Sequence, residues 1–202
     1  MARNVFFSFD YDDIMGVNVV RFADVVLPAN RNLPFRDRSM YEEAKKAPGA
    51  IKRAIDDALH GTSVTVVLVG LSTWRSDWVR YEIAKSLERG NGLVAVDIDG
   101  VGPEPKPMKG ANPLLNLMVA PWATGDGFEI WEWNGRDRWL GFAMLPRAKN
   151  TEAKYPSAFV NGASYRVGDR FDLHVKWPDC QGRFPWIIEA AAVQAGYGES
   201  SR

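Results

Sequence analysis

The stretch SVTVVLVGLSTWRSDWVRYEIAKSLERGNGLVAVDI, residues 63–98, decides the fold. Its first block, VTVVLVG (64–70), has no polar alternation, as expected of a central parallel strand covered on both faces. Its last block, GLVAVDI (92–98), reads as another buried strand. Between them, STWRSDWVRYEIAKSLERG (72–90) predicts a helix whose buried stripe is Val79, Ile83 and Leu87, closing at Gly90. At roughly 100° per residue, Glu82 lies roughly 100° from the centre of that stripe and Trp78 roughly 140°, both on the flank shared with Lys85 and Arg89. Glu82 is therefore expected at the border of the buried face, near the start of a helix that leaves a strand's carboxyl end. Two readings follow. Glu82 faces a ligand in the sheet crevice, or it forms a surface ion pair with Lys85 worth a few tenths of a kcal/mol. Spacing alone favours the ion pair, and for Trp78 it favours packing over ligand contact.

Working outward, NVFFSF (4–9) reads as a first buried strand, bounded by the acidic turn DYDD. From Ile14 to Leu27, Val19, Phe22, Ala23 and Val26 fall at helical spacing. PANRNLPFRDRS (28–39) holds two prolines and reads as a long loop. SMYEEAKKA looks helical up to Pro48-Gly49. Ile51, Ala54, Ile55, Ala58 and Leu59 then mark an amphipathic helix ended by His60-Gly61. Alternating strands and helices argue for an open α/β sheet with helices on both faces. Such sheets bind ligands outside the carboxyl ends of their strands, here Phe9-Asp10-Tyr11, Gly70-Leu71-Ser72 and Asp97-Ile98-Asp99. After Gly100 the character changes: GVGPEPKPMKGANP is proline-rich, and six of the eight tryptophans follow it. FEIWEW (128–133) alternates like an edge strand with Asn134-Gly135 as its turn, and FPWIIEAAAVQAG suits a C-terminal helix. The expected division is a sheet domain over 1–115 and a Trp-rich extension over 116–202 packed against it.

The totals exclude several classes of function. Twenty-five basic and twenty-five acidic residues cancel, with no block of like charge, so no nucleic-acid footprint is present. The single Cys180 rules out an intrachain disulfide and suits a reducing cytosol. His60 and His174 are too far apart for metal-site spacing. MARNVFFSFDYDD turns acidic at once, unlike a signal peptide, and no apolar run approaches the roughly 20 residues of a membrane span. A soluble, cytoplasmic protein is expected. The carboxylates Asp10, Asp12 and Asp13 could hold Mg²⁺ as in receiver domains. That chemistry also needs an Asp at the end of a middle strand, and after VTVVLVG none comes before Asp77. GxxxxGK[ST], GxGxxG and GxSxG are all absent.

The motifs VFFSFDYDD, Asn18 and Arg21 in VNVVRF, DRSMYEEAKK (37–46), the 63–98 stretch and GANP (110–113) resemble the TIR-like signalling proteins of bacterial Thoeris anti-phage systems. T-x-R-x-x-W-V-R-Y-E-I followed by S-x-E-R-G-N, from Thr73 to Asn91, carries most of the likeness. It covers about the first 115 residues and continues weakly to YRVGD (165–169). Asp10 stands where a histidine can occur in that pattern, and DIDGV (97–101) where an I-H-I run can occur. The resemblance implies a TIR-like, flavodoxin-like fold with NAD⁺ as substrate, no cofactor and no metal. It implies cleavage of the nicotinamide–ribose bond and closure of the remainder to a cyclic ADP-ribose isomer. That messenger acts on a downstream NAD-depleting effector; a phage-derived trigger and a homo-oligomer fit the same picture. The catalytic glutamate maps to Glu82. The loop after the first strand maps to Phe9 and Asp10, the loop before the second helix to Asp37 and Ser39, and Asn18 and Arg21 are further candidates. Phe9, Tyr11 or Trp78 could stack on nicotinamide or adenine. Two other functions share the sequence: an NAD⁺ hydrolase giving linear ADP-ribose, and a non-catalytic TIR-like assembly module.

Overall fold

The apolar blocks of the sequence become the centre of a parallel sheet. The computed structural model describes residues 3–23, 35–37, 48–102, 109–149 and 163–198. In chain order these form β1 (Arg3–Ser8), α1 (Ile14–Arg21), β2 (Phe35–Asp37), α2 (Pro48–Leu59), β3 (Val64–Val69), α3 (Asp77–Arg89) and β4 (Gly92–Asp97). There follow β5 (Leu117–Pro121), β6 (Gly127–Trp133), β7 (Trp139–Gly141), β8 (Arg147–Lys149), β9 (Tyr165–Arg166), α4 (Val167–Arg170), β10 (His174–Lys176), α5 (Trp177–Cys180) and α6 (Phe184–Gln194). The parallel sheet has the order β10-β4-β3-β1-β2. Val5–Ser8 lie opposite Val64–Val67, and Val64–Val69 opposite Gly92–Asp97.

All six residues of β3 are buried, which explains the unbroken apolar run. Burying its four valines and Leu68 contributes on the order of 10 kcal/mol, an upper figure because the unfolded chain is not fully extended. Strand alternation sorts neighbours onto opposite faces. Val5, Phe7 and Phe9 join the core beneath α1 and α6, while Phe6 joins the core beneath α2 and α3. The helix α3 stops where the sequence predicts. Gly90 takes φ +79°, its N–H bonds to the Leu87 carbonyl, and the Asn91 N–H bonds to the Ser86 carbonyl. This is the Schellman arrangement, which glycine adopts without strain.

Beyond Gly110 the chain builds a second, antiparallel sheet in the order β7-β6-β5-β9, with β8 also paired to β6. Leu117, Val119, Phe128, Ile130, Phe142 and Ala148 of this region share one core with Val79, Tyr81, Ile83 and Leu87 of α3. Thus α3 lies between two sheets.

Three expectations are corrected here. Residues 28–39 are not all loop: Phe35–Asp37 pairs with Arg3–Val5 as an edge strand. FEIWEW is not an edge, since β6 is flanked by β5 on one side and by β7 and β8 on the other. A boundary at 115/116 does not divide the parallel sheet from the rest. His174–Lys176 pairs with Ala95–Asp97, and α6 packs on β4 and β3, so both chain ends build that sheet. The helix expected in SMYEEAKKA lies outside the described residues. The one expected over Ile14–Leu27 is shorter: α1 stops at Arg21 with Phe22 as its cap, and residues 24–27 lie outside the described residues. The amphipathic helix marked by Ile51 to Leu59 is α2, and Pro48-Gly49 forms its first turn. Proline is suited to a first helical position, where its missing N–H has no partner to lose. Among the described residues no helix is long and apolar enough to cross a membrane.

Candidate functional site

The strand β1 ends in Ser8, whose side chain falls on the α3 face of the sheet, and α3 crosses directly over it. Ser8 Oγ donates to Glu82 Oε2 at 2.6 Å, and both residues have zero solvent exposure. That length matches a charge-assisted O–H···O⁻ bond. A chain of buried hydrogen bonds continues from the same pair. Ser86 Oγ donates to the Glu82 carbonyl at 2.7 Å and lies 2.7 Å from Thr65 Oγ1. Since the one Ser86 proton is committed to Glu82, Thr65 must be the donor to Ser86. Asn91 Nδ2 donates to Thr65 Oγ1 (3.2 Å) and Thr62 Oγ1 (2.8 Å), and Thr62 donates to the Leu59 carbonyl. These polar groups pin α3 to the sheet in one register. A buried hydroxyl or amide is costly without a partner and specific with one.

Glu82 is therefore more deeply placed than the helical wheel predicts: it is wholly enclosed. The ion pair with Lys85 does not form. Lys85 bonds Glu88 and lies 3.7 Å from Asp56. Trp78 is half-buried and meets Tyr81 edge-on at 6.2 Å. The Tyr81 hydroxyl reaches Asp56 at 3.3 Å, and burial, with the Asp56 charge second, pushes its phenol well up.

The residues expected around β1 separate. Phe9 is fully buried in the core, with the Arg21 guanidinium 5.7 Å above its ring. It is a core residue there, not an open aromatic wall. Tyr11 is exposed, and Asp10 accepts the Asp12 N–H at 3.0 Å, capping the turn into α1. Asn18 is half-buried on α1, across the sheet from Glu82. Asp37 pairs with Val5 through β2, and Ser39 lies outside the described residues. Among the sequence candidates, none is hydrogen-bonded to the Glu82 side chain in the bonds described above; its partner, Ser8, was not among them.

A cleft of about 240 Å³ opens at the carboxyl ends of β1, β3 and β4, lined by Asp12, Asp13, Gly16, Gly70 and Asp99 with neighbours on their loops. Asp13 Oδ2 accepts from the Ser72 N–H (3.1 Å) and lies 3.0 Å from Thr73 Oγ1, and Thr73 in turn accepts the Gly70 N–H. A side chain at Gly70 would stand 2.4 Å from the Asp13 carboxyl carbon, so only glycine fits. Asp99 accepts the Gly110 N–H at 3.0 Å. Burial, reinforced by Asp97 and Asp13, outweighs that bond and raises its pKa. Asp97 is held by His174 at 2.8 Å and Lys109 at 3.6 Å. This cleft favours a cationic ligand over an anionic one. Among the described residues no group of three side chains is arranged to hold a metal ion.

Two comparisons bear on this arrangement. Residues 6–102 match the family model described as "Thoeris protein ThsB, TIR-like domain". A Bacillus cereus (strain MSX-D12) protein named "Putative cyclic ADP-D-ribose synthase ThsB1" is 39% identical over 140 residues, which is 67% of this chain and 73% of that one. The chain belongs to the ThsB family. The family match runs from β1 through the loop after β4, so Ser8, Glu82 and the cleft carboxylates all lie inside it. The antiparallel sheet, starting at Leu117, lies beyond it.

Sequence reasoning missed Ser8 because VFFSF reads as an unbroken apolar strand. Its signal was a polar residue in the phase of Phe6, which faces the core under α3.

Proposed function

We propose that this ThsB-family chain cleaves NAD⁺ at the nicotinamide–ribose bond and closes the product into a cyclic ADP-ribose isomer, with Glu82 as the catalytic carboxylate. One observation carries the reading: a fully buried glutamate, oriented by a serine hydroxyl at 2.6 Å, lies under the carboxyl end of β1. The printed name of the Bacillus cereus relative supports the same chemistry. The nicotinamide ring is already cationic in NAD⁺ and departs neutral with the bonding electron pair, so departure needs no proton donor. What it needs is negative charge beside the ribose as oxocarbenium character develops, and one carboxylate supplies that. Ser8 fixes the direction of the carboxylate, and an enclosed site excludes the water that would otherwise yield linear ADP-ribose. The reaction requires neither metal nor cofactor. NAD⁺ is the substrate, and the product is a diffusible messenger for an NAD-depleting effector.

With Glu82 enclosed, access to it requires its surroundings to part, and low turnover before triggering by a phage component is expected. Mass spectrometry of small-molecule extracts from phage-infected cells tests this, comparing the protein with its Glu82→Gln variant. A species one water lighter than ADP-ribose, made only by the unmodified protein, is the expected result. Linear ADP-ribose alone would make the chain a hydrolase. Protection from phage by Glu82→Gln with no nucleotide change would make it an assembly module.

A further inference from the structure

The cleft at the carboxyl ends of β1, β3 and β4 takes no part in the chemistry proposed for Glu82. It is bordered by the carboxylates of Asp12, Asp13 and Asp99 and by the apolar side chains of Met15, Leu71 and Ile98. No lysine, arginine or histidine is among its lining residues. A buried carboxylate is tolerated when it is paired or well hydrogen-bonded, and an ionised one has about four acceptor sites to fill. What each of these carboxylates bonds therefore decides what the cleft can hold.

Asp13 is the most poorly supplied. It is 8% exposed and stands at the position that caps α1, yet its side chain makes no cap bond. It turns instead onto the end of β3, where Gly70 leaves room for it. A Cβ at Gly70 would lie 2.6 Å from Asp13 Oδ2 and 2.7 Å from Oδ1. Oδ2 accepts the Ser72 N–H and faces the Thr73 hydroxyl at 3.0 Å. That hydroxyl also lies 3.0 Å from the Leu68 carbonyl, so one proton serves two acceptors. Oδ1 accepts no hydrogen bond from any described residue. A carboxylate more than nine-tenths buried thus meets the cleft with one oxygen uncommitted. Asp99, on the β4 side, repeats the pattern. Its Oδ2 accepts the Gly110 N–H, and its Oδ1 accepts nothing from the described residues. Burial, with Asp97 and Asp13 adding to it, raises the Asp99 pKa, and Lys109, which counters this in part, is paired with Asp97 at 3.6 Å.

We propose that this cleft binds a small organic cation, a guanidinium or primary ammonium on a short aliphatic stem, held by Asp13 and Asp99. The cation supplies N–H donors to the two uncommitted oxygens, and charge-assisted bonds of this kind are the strong ones. Met15, Leu71 and Ile98 suit the stem, as apolar surface does for lysine and arginine stems within proteins. A metal ion fits less well. It wants oxygen ligands all round, and among the described residues no three side chains are arranged to hold one. About 240 Å³ is the space of roughly eight waters, which suits a ligand of about ten non-hydrogen atoms and is too small for a dinucleotide. Three carboxylates without a cation among the lining residues also repel a pyrophosphate. The cleft is therefore a second site, and it stands whether or not Glu82 is catalytic.

Calorimetric titration of the full chain with agmatine, which carries a guanidinium and an ammonium on an aliphatic stem, tests the proposal. One molecule should bind per chain with a Kd of about 1 mM or tighter at low salt, weakening as salt is added. In a parallel NMR titration the Ser72 and Gly110 amides should shift, because their N–H groups bond Asp13 and Asp99. Asp13→Asn and Asp99→Asn should each weaken binding at least about tenfold. Asp57→Asn, exposed on α2, should leave it unchanged. Circular dichroism reports whether each variant is folded, and the half-buried Asp99 site carries the test alone if Asp13→Asn is not. Neither NAD⁺ nor Mg²⁺ should displace agmatine. No heat and no shifts up to about 10 mM agmatine would overturn the proposal, as would binding that the folded cleft variants leave intact. Displacement by Mg²⁺ would overturn it in favour of a metal site, and displacement by NAD⁺ would make the cleft part of the substrate site.

Discussion

On one side of the parallel sheet, α2 and α3 are overlaid by an antiparallel sheet, and the polar groups beneath α3 are all enclosed. On the other side, α1 and α6 end in exposed apolar side chains, and the carboxylates Asp12, Asp13 and Asp99 line an open cleft at the strand ends. The two sides place acidic groups under opposite conditions. Glu82 is dry, bonded and held in one orientation, whereas Asp99 faces water in an acidic neighbourhood. A carboxylate that must stabilise a developing cation acts most strongly where water is excluded and reorganisation is small. A carboxylate in an open cleft acts mainly through long-range attraction for cationic groups. Under the proposed reading the chemistry belongs to the α3 side, and the cleft contributes electrostatic bias.

The largest expected effect tests that assignment directly. Glu82→Gln should lower NAD⁺ cleavage by about 10³-fold or more, with melting temperature shifted only slightly, because glutamine keeps the size and can still bond Ser8. Asp99→Asn should change the rate only a few-fold. Equal losses from the two, measured by nicotinamide release, would erase the distinction between the two sides.

The overlaying sheet comes next. Phe128 of β6 is buried against the α3 core. Phe128→Ala should cost about 3–5 kcal/mol, or roughly 10 °C in melting temperature for a chain of this size. If the antiparallel sheet were a loosely attached appendage, calorimetry would instead show two transitions, with the parallel core melting at its original temperature.

Ser8→Ala sharpens the picture around Glu82. Losing one hydrogen bond to a carboxylate should cost about 1–3 kcal/mol, read as a fall in kcat of about tenfold or more with KM little changed. A rise in KM at constant kcat would mean that Ser8 contacts ground-state substrate instead of orienting Glu82.

What could be read from the sequence follows from how many surfaces each element meets. VTVVLVG and GLVAVDI declare themselves because both faces of those strands are covered, and Val79, Ile83 and Leu87 because α3 packs on the sheet through that stripe. The depth of Glu82 was not legible. A helical wheel assumes one covering surface, and α3 has two, so its flanks are buried as well. Phe35–Asp37 and His174–Lys176 were not legible for another reason. Each is three residues long and joins the sheet through backbone bonds, which leave no apolar pattern to read. FEIWEW reads as an edge in the sequence because alternation shows which face is buried and says nothing about which edges are paired.

The smallest effect concerns the open cleft and depends on pH. Burial, aided by Asp97 and Asp13, raises the Asp99 pKa above its ordinary value of 3.8 despite the bond from Gly110. The native state therefore holds this proton more tightly than the unfolded chain does. The associated stability is fully present below about 3.8 and is lost as pH rises through the raised native value. Above the raised native value the ionised Asp99 opposes folding slightly. Asparagine removes the charge and can still accept the Gly110 N–H, so Asp99→Asn should raise the melting temperature at pH 7 by about 1–2 °C, a shift typical of surface substitutions. The gain should vanish near pH 3, where the aspartate is protonated in both states. A melting temperature lowered at pH 7 would mean that the ionised Asp99 is bound by a cation in the cleft, and the acidic side would then have a ligand of its own.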